Sequence, residues 1–406
     1  MKKALALALG IVTSIGGFLD MGALATSSQA GANYRFQLLW AIAIATLLVI
    51  FLVEMSGRFA AATSKALPDA IREHFGFTFW LIPFLVLTLS HLLVLGTEIG
   101  GICFALHLIS GLPTPLWAVP VGVLLWFFLW RSTFNTIENS TSLLGLITLA
   151  FVVAAVAHHP PVNEMLAGFV PTLPEKEPLK YWAIAVSIVG AVLSPYLFYF
   201  YSSGAVEDDW NESYIPVNRA IATLGMGFGS VVAMGALVVG AMVLAPRGIA
   251  VDDYHQAALM LTEAFPFWGF LLFAVGLGIA CVAASLEVAL SMAYAAAQTF
   301  GWNWGESLNP REDARFSTVY TVFIALASLI ILIGVDPLKL TILAMATEAA
   351  VLPFVAIPFL ILMNDRKLLK DHANGWISNS IAVIVLLLAV VLTVVSIPLA
   401  FLGGGG

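Results

Sequence analysis

Residues 181–203 read YWAIAVSIVGAVLSPYLFYFYSS, an apolar run that is long enough to cross a bilayer but has a proline inside it. A spanning helix needs roughly 20 apolar residues, because lipid offers no partner to unpaired backbone groups. Proline removes one backbone hydrogen bond of a helix and frees carbonyl groups. The stretch Ser194-Pro195-Tyr196 therefore predicts a membrane helix that is broken within the bilayer.

The composition agrees with a chain that lies largely in lipid. Of its 406 residues, 61% are hydrophobic and only 10% are charged, with a mean hydropathy of +0.99. The net charge of −7 leaves no basic surface for nucleic acid. Cys103 and Cys281 lie far apart in apolar runs, which favours neither a disulfide framework nor a cysteine metal site. We therefore predict an all-α polytopic membrane protein.

Hydropathy predicts eleven transmembrane helices. The polar connections between them are too short for a separate soluble domain, so residues 1–406 are expected to form a single transmembrane transporter domain. The predicted spans are 6–27, 36–57, 77–108, 115–131, 140–157, 181–203, 216–245, 264–299, 315–334, 337–363 and 377–402.

The distribution of positive charge predicts the orientation of the chain. Lys and Arg are enriched on the cytoplasmic side of membrane proteins. With the N-terminus in the cytoplasm, only five of the 17 Lys and Arg residues lie outside: Arg35, Lys176, Lys180, Arg247 and Lys339. An odd number of spans then places the C-terminus outside. The short termini, without a targeting extension, indicate a bacterial inner membrane.

One alternative concerns the N-terminus. Met1-Lys2-Lys3, an apolar stretch and then Ala23-Leu24-Ala25 also resemble a signal peptide with its cleavage site. Cleavage there would discard Asp20, the first of the acidic residues that the spans contain.

Four acidic residues fall within or close to the middle of predicted spans: Asp20, Glu98, Glu287 and Glu348. Placing a carboxylate near the bilayer centre costs at least ~2.5–3.5 kcal/mol of insertion free energy. Each of these acids is therefore expected to have a structural or functional role. His91 precedes Glu98 by seven residues, which is about two helical turns, so the two share a helix face. This set favours an ion pathway or a proton relay over purely structural polar contacts.

A second break is predicted in the first span, at Asp20-Met21-Gly22-Ala23, because Gly22 tolerates an unwound backbone. Together with the break at Pro195, five spans later, this is the pattern of two inverted repeats whose half-helix ends meet at the midplane and bind ions. We predict a 5+5 inverted repeat, with repeat one at about 6–157, repeat two at about 181–363 and an extra helix at about 377–402.

These residues resemble the Nramp divalent-metal transporters, a family with a LeuT-type fold. Residues 20–32, DMGALATSSQAGA, are similar to the family's Asp-Pro-Gly-Asn motif and to the Ala-Thr-x-x-Gln-Ala-Gly-Ala tail that follows it. Residues 54–58 (EMSGR), 352–358 (LPFVAIP) and 364–368 (NDRKL) look like its second and tenth helices and the exit from the latter. Glu98 falls where the family has a glutamate tied to proton transfer. The resemblance implies a secondary transporter that moves divalent metal cations by alternating access.

The chain also departs from the family's pattern. Ser194-Pro195-Tyr196-Leu197 stands where the family has Met-Pro-His-Asn, and Ala23 stands at its metal-binding asparagine. Leu95 and Tyr201 occupy the places of an aspartate and a histidine. The metal site that the resemblance implies here consists of the Asp20 side chain, the carbonyls of Ala23 and Ala191, and the hydroxyls of Ser194 and Tyr196.

Such a site contains only oxygen ligands. Carboxylate, carbonyl, hydroxyl and water suit Mg²⁺, Ca²⁺ and Mn²⁺, whereas thioether and imidazole select later transition metals. We expect a cation of the Mn²⁺ or Fe²⁺ kind or, given the ligands, Mg²⁺. Proton coupling stays open; the residues assigned to a proton or charge pathway are Glu98, His91, Glu287 and Glu348. We expect no cofactor, and we expect divalent metal ions, membrane lipid and protons as partners, without nucleic acid or an obligate protein partner.

Other functions fit parts of this pattern. An amino-acid or Na⁺-coupled carrier of the same architecture would direct its unwound first helix at a substrate carboxylate, which Asp20 opposes. An ion channel also has a polar path, but paired helix breaks favour alternating access. An intramembrane aspartyl enzyme would need a second intramembrane aspartate, and a zinc enzyme a His-Glu-x-x-His motif; the sequence has neither. We therefore predict a transporter rather than an enzyme.

Overall fold

The regular structure of the described residues is helical. The structure is a computed structural model, which describes residues 20–131, 146–172, 174, 177–251, 253–305, 310–311 and 313–402. Its α-helices are α1 (Met21–Tyr34), α2 (Leu39–Thr63), α3 (Leu67–Phe75), α4 (Phe77–Ser110), α5 (Thr114–Arg131), α6 (Leu149–Ala157), α7 (Val162–Ala167), α8 (Pro178–Val192), α9 (Pro195–Glu207), α10 (Ile215–Val239), α11 (Tyr254–Thr262), α12 (Gly269–Phe300), α13 (Ala314–Leu332), α14 (Pro337–Leu362), α15 (Arg366–Leu369) and α16 (Trp376–Leu402).

Most of these helices coincide with predicted spans. Among the described residues, eight stretches are long and apolar enough to cross a membrane, and Leu146–Ala157 and Trp376–Leu388 are shorter apolar helices. The eight are Leu39–Thr63, Phe77–Ser110, Thr114–Arg131, Pro178–Glu207, Glu212–Arg247, Gly269–Phe300, Ala314–Leu332 and Pro337–Leu362. The predicted first span, 6–27, lies mostly outside the described residues. The all-helical membrane fold is confirmed, whereas the count of eleven helices is not.

The spanning stretch 178–207 is divided into two helices. Helix α8 ends at Val192 and α9 begins at Pro195, so that Leu193 and Ser194 lie between them. Pro195 occupies the first position of α9, where a missing N–H costs no helical hydrogen bond. The last carbonyls of α8 have no partner within the helix, because nothing continues it. The division therefore exposes backbone oxygen atoms inside the protein.

At Gly22 the structure differs from the sequence-based expectation. Helix α1 begins at Met21, and Asp20 is its N-cap, with φ −82° and ψ 178°. Gly22 is therefore the second residue of a regular helix and not an unwound position. A Cβ atom at Gly22 would lie 2.3 Å from Sδ of Met345. The glycine accommodates the Met345 side chain of α14, a tertiary contact that local sequence does not reveal.

Arg58 at the end of α2 is buried in a network that joins distant parts of the chain. Its guanidinium donates to both carboxylate oxygens of Glu54, with Nε–Oε1 at 3.0 Å and Nη2–Oε2 at 3.1 Å. The same group donates to the carbonyl of His372 and to Oδ1 of Asn374. Asn218 of α10 donates to the Glu54 carbonyl at 2.8 Å. This network fastens α2 to α10 and to the segment that follows α15.

We expect Arg58→Met to destabilise the protein strongly. Arg58 is only 5% exposed, and loss of one partner from a buried ion pair costs about 3–5 kcal/mol because the other charge remains buried. Thermal unfolding of the purified protein in detergent measures the effect. Arg219→Met is the control, because the Arg219 side chain is 66% exposed while it contacts the same Glu54. Equal melting temperatures for the two variants would show that the buried network contributes little.

Candidate metal site

Asp20 lies at the start of α1 and caps it. Its Oδ1 accepts a hydrogen bond from the Ala23 N–H at 2.7 Å, and the residue is 3% exposed. An N-terminal helix end carries free N–H groups and a partial positive charge, both of which stabilise a carboxylate. The helix therefore holds this acid in place while the protein excludes water from it.

Glu98 of α4 reaches the same helix end. The Met21 N–H, which has no acceptor within α1, lies 3.2 Å from Oε1 and 3.3 Å from Oε2 of Glu98. Glu98 is fully buried. Two carboxylates thus share one helix N-terminus, and the negative charge on each disfavours charge on the other. Through this hydrogen bond Glu98 connects α4 to the first turn of α1. This structural role is separate from the role in proton movement that the sequence predicts.

The break between α8 and α9 contributes oxygen atoms to the same region. Ala191 lies in the last turn of α8, and the Ser194 hydroxyl donates to its carbonyl oxygen at 3.2 Å. Because this hydroxyl does not cap α9, its oxygen lone pairs remain open to another group. Both residues are buried. Helix α8 also packs directly against α1.

Glu348 of α14 approaches the break from another side. Its Oε1 accepts a hydrogen bond from the Ser90 hydroxyl of α4. The residue is 1% exposed, and Oε2 has no hydrogen-bond partner among the described residues. Ser194 lies beside this carboxylate, and the charge of Asp20 acts on it.

The four acids predicted from the sequence converge near Tyr196. This side chain, in the first turn of α9, is 2% exposed, and the charges of four residues act on its hydroxyl group: Asp20, Glu98, Glu287 and Glu348. Glu287 of α12 is half-buried, whereas the other three acids are buried. These four residues are called the acidic cluster, although no three Asp, Glu, His or Cys side chains of the described residues lie close enough together to hold a metal ion by themselves.

His91 lies against Tyr196 and α12. Its Nδ1 is 2.8 Å from the Leu87 carbonyl oxygen, and its Nε2 is 3.0 Å from the Ser291 hydroxyl. The carbonyl can only accept, so Nδ1 carries the proton and Nε2 of a neutral ring accepts from Ser291. The His91 and Tyr196 rings meet edge to face at 6.1 Å. His91 thus has partners for both nitrogens at the border of the acidic cluster.

The carbonyl of Ala23 does not fit the predicted ligand set. Ala23 is the third residue of α1, and in a helix the carbonyls point toward the C-terminal end. The Thr26 hydroxyl also approaches this oxygen, at 3.4 Å. Because α1 is already helical here, the Ala23 carbonyl points away from Asp20, whereas the Ala191 carbonyl lies at the end of its helix, where it accepts a hydrogen bond from the Ser194 hydroxyl and keeps a second lone pair.

Two glycines bring α14 close to both of its neighbours. A Cβ atom at Gly190 of α8 would lie 2.3 Å from the Met345 carbonyl oxygen, and Gly22 of α1 faces Sδ of the same methionine. Small residues permit such close helix contacts in membranes. Glu348 follows Met345 by three residues and therefore lies on the same face of α14. The two glycines consequently direct Glu348 toward Asp20 and Ser194.

Three of the acids have no basic partner in the described parts of the chain. Asp20, Glu98 and Glu348 form no ion pair with Lys, Arg or His there. A buried charge is stable only when it is paired or coordinates a metal; otherwise it binds a proton. Each of these three acids therefore needs a proton or another cation to be stable in its buried position.

Two sulfur atoms lie near the acids, and the Cys281 thiol interacts with the carboxylate of Glu98. Sδ of Met21 and Sγ of Cys281 are 4.0 Å apart. A Cβ atom at Gly101 of α4 would lie 2.5 Å from the Cys281 sulfur and 2.9 Å from the Met21 sulfur. Both sulfurs pack against the backbone of α4, and the Cys281 thiol reaches Glu98 rather than Ala191 or Ser194, whose polar atoms are oxygens.

Sequence reasoning missed Ser90 and Ser291, which contact Glu348 and His91. A signal for Ser90 exists in the sequence of α4. Ser90 and His91 recur seven residues later as Thr97 and Glu98, which marks a polar stripe along a membrane helix. No comparable signal identifies Met345, whose importance depends on two glycines of other helices.

The broken helix and the buried acids define a membrane transporter of the LeuT-type fold. A crystal structure of the Eremococcus coleocola manganese transporter, in complex with an aromatic bis-isothiourea substituted compound, superposes with a TM-score of 0.80 at 19% identity, covering 97% of this chain and 87% of that one. The structure of MhsT in complex with L-phenylalanine has a TM-score of 0.67 at 14% identity, covering 96% and 98%. The LeuT-type fold is thereby confirmed.

The family follows from the sequence comparison. The model of the family described as "Natural resistance-associated macrophage protein-like" (Nramp) matches residues 10–398, and the chain belongs to this family. It is 28% identical to a divalent metal cation transporter MntH of Deinococcus radiodurans, covering 93% of this chain and 87% of that protein. An MntH of Klebsiella pneumoniae is 26% identical, covering 90% and 89%. The expected resemblance, and a transporter rather than an enzyme, are confirmed.

We expect Gly190→Ala to disrupt the site and to lower the melting temperature. The new methyl group would meet the backbone oxygen of Met345, which cannot rotate away as a side chain could. Overpacking of this kind costs about 1–3 kcal/mol. Gly227→Ala is the matched control, since no atom lies within 4 Å of a Cβ at that helical glycine. Thermal unfolding in detergent measures the melting temperatures of both variants. An unchanged melting temperature of Gly190→Ala would contradict the close contact between α8 and α14.

Proposed function

We propose that this chain carries divalent metal cations across the membrane by alternating access, with Asp20 as the principal metal ligand. The observation that supports this proposal most is the position of Asp20: a buried carboxylate at a helix start, beside the broken helix α8–α9. The Ala191 carbonyl and the Ser194 and Tyr196 hydroxyls supply further oxygens. The family and the names of its MntH relatives point to the same cargo.

The ligand atoms favour a hard cation. In the family's pattern a methionine thioether contacts the metal, and Ser194 replaces it here with a hydroxyl. Oxygen ligands suit Mg²⁺, Ca²⁺ and Mn²⁺, and Mg²⁺ typically keeps several waters when one or two carboxylates bind it. We expect weaker discrimination against Mg²⁺ than a thioether site gives, and no strong preference for Cd²⁺.

The central test is uptake into proteoliposomes. The wild-type protein should transport Mn²⁺ and Mg²⁺, and Asp20→Asn should reduce uptake of both to the level of empty liposomes, because the amide keeps the shape but removes the ligand charge. Glu164→Gln is the control, because Glu164 is exposed and pairs with Arg35 at 3.3 Å. Full activity of Asp20→Asn would remove the proposed site.

The ion series tests the hardness of the site separately. Mn²⁺, Fe²⁺, Cd²⁺ and Mg²⁺ should be compared as competitors in the same liposomes. Mg²⁺ should compete effectively, whereas a strong preference for Cd²⁺ would indicate a sulfur ligand such as Met21 and contradict an oxygen-only site. Thermal stabilisation by amino acids in place of metals would instead favour an organic solute, as in the L-phenylalanine complex of MhsT.

Proton coupling is proposed to involve Glu98 and His91. Both are buried next to Asp20 or Tyr196, and the Glu98 carboxylate keeps free lone pairs that can bind a proton while it accepts from the Met21 N–H. An inward proton gradient should accelerate metal uptake by the wild type, and Glu98→Gln, which cannot ionise, should lose this acceleration. A response in Glu98→Gln equal to that of the wild type would leave Glu98 a structural role only.

The proposed location is a bacterial plasma membrane, with the N-terminus in the cytoplasm and the C-terminus outside. The bacterial sources of the MntH relatives support the membrane, and the uneven distribution of Lys and Arg supports the orientation. The repeat boundaries at 6–157, 181–363 and 377–402 remain predictions.

A further inference from the structure

Glu348 is positioned more firmly than a membrane-facing acid would be. Met345, one turn earlier on α14, lies against Gly22 of α1 and Gly190 of α8. Ser90 of α4 holds Oε1 by a hydrogen bond. Contacts with α1, α8 and α4 thus fix the position of α14 and the direction of the Glu348 side chain.

One oxygen of this carboxylate has no partner. Oε2 is buried and forms no hydrogen bond of good geometry with the described residues, and the Ser194 hydroxyl lies beside the carboxylate. Leaving a buried polar group unsatisfied costs about 1–3 kcal/mol, and more when the group is charged. Such a position is unfavourable unless a further group binds the oxygen.

We propose that Glu348 is a second carboxylate ligand of the transported cation, which Asp20 and Glu348 bind from opposite sides with Ser194 between them. This inference rests on the proposed function and specifies the composition of its site. Ser90 is then a positioning residue that holds the other carboxylate oxygen. Helices α1, α8–α9 and α14 supply the ligands, and α4 supports one of them.

The charge of the site supports this assignment. The charges of Asp20 and Glu348 repel each other, and Ser194 lies beside Glu348. A divalent cation between two carboxylates neutralises both, and one or two carboxylates with retained waters are the usual protein ligands of Mg²⁺. The pair therefore matches the charge of a divalent ion better than Asp20 alone.

Glu98 is less suited to this role, although it is equally buried. Both of its oxygens face the Met21 N–H, at 3.2 and 3.3 Å. A proton on Oε2 of Glu348 is the other way to neutralise that acid, with the Ser194 hydroxyl beside the carboxylate as an acceptor, and metal binding by Glu348→Gln distinguishes the two. A metal ion needs only the lone pairs that this oxygen offers.

The test measures metal binding directly, apart from transport. Titration calorimetry of the full-length protein in detergent, with Mg²⁺ and with Mn²⁺, should give a Kd for Glu348→Gln that is more than about 100-fold above that of the wild type. Loss of an outer residue that supports a ligand costs 10–100-fold in affinity, so Ser90→Ala should raise the Kd about 10-fold. Glu164→Gln should bind as the wild type does, and size-exclusion profiles should establish that each variant is folded.

The outcomes separate this inference from the proposed function. Wild-type affinity in Glu348→Gln, with binding lost in Asp20→Asn, would overturn the role of Glu348 and leave the metal transporter intact. The role of Glu348 as a ligand would also be overturned if Glu348→Gln bound the metal with wild-type affinity but lost proton-driven uptake. Glu348 would then carry protons instead. Failure of the wild type to bind any divalent cation would instead contradict the proposed function. If Glu348→Gln misfolds, Ser90→Ala provides the test in its place. A metal Kd of Ser90→Ala equal to that of the wild type overturns the inference.

Discussion

The arrangement depends on the burial of carboxylates in a protein interior that lies in lipid. Asp20 and Glu98 are tolerated there because the first turn of α1 presents free N–H groups to both of them. Glu348 has no such helix end and interacts instead with the hydroxyl groups of Ser90 and Ser194. The helix start therefore satisfies two acids, while the third keeps an oxygen without a hydrogen bond of its own, which is where the proposal places the transported cation.

Close helix packing is what brings the acids together. Lipid does not drive helices into contact through the hydrophobic effect, so small residues and polar contacts determine how closely they approach. Gly22 and Gly190 leave room for Met345, and α14 thereby passes within contact distance of α1 and α8. A shift of α14 by the width of one methyl group would move Glu348 away from Ser194. The glycines act on the site without contacting an ion.

The sequence predicts the chemistry of the site better than its geometry. The acids stand out because charge is rare in spans, and Pro195 locates the break because proline cannot continue a helix. Gly22 was misinterpreted as an unwound position, since a glycine in a close helix contact looks the same in sequence. The direction of Glu348 could not be predicted either, because buried apolar residues surround it on α14 and no polar periodicity marks a face. Arg58 likewise gains its importance from His372 and Asn374, which follow more than 300 residues later.

The proposed ligand set also offers a reason why movement would require the ion. Asp20 belongs to the first predicted repeat, whereas Ser194 and Glu348 belong to the second. With no ion between them, the charges of Asp20 and Glu348 repel each other and oppose closure of the two repeats around the site. A bound divalent cation reverses this interaction, so the closed state binds the ion more tightly than the open state and becomes more populated. In such a site the ion's charge, rather than the softness of a thioether, would control the conformational equilibrium, and selectivity would depend on size and hydration.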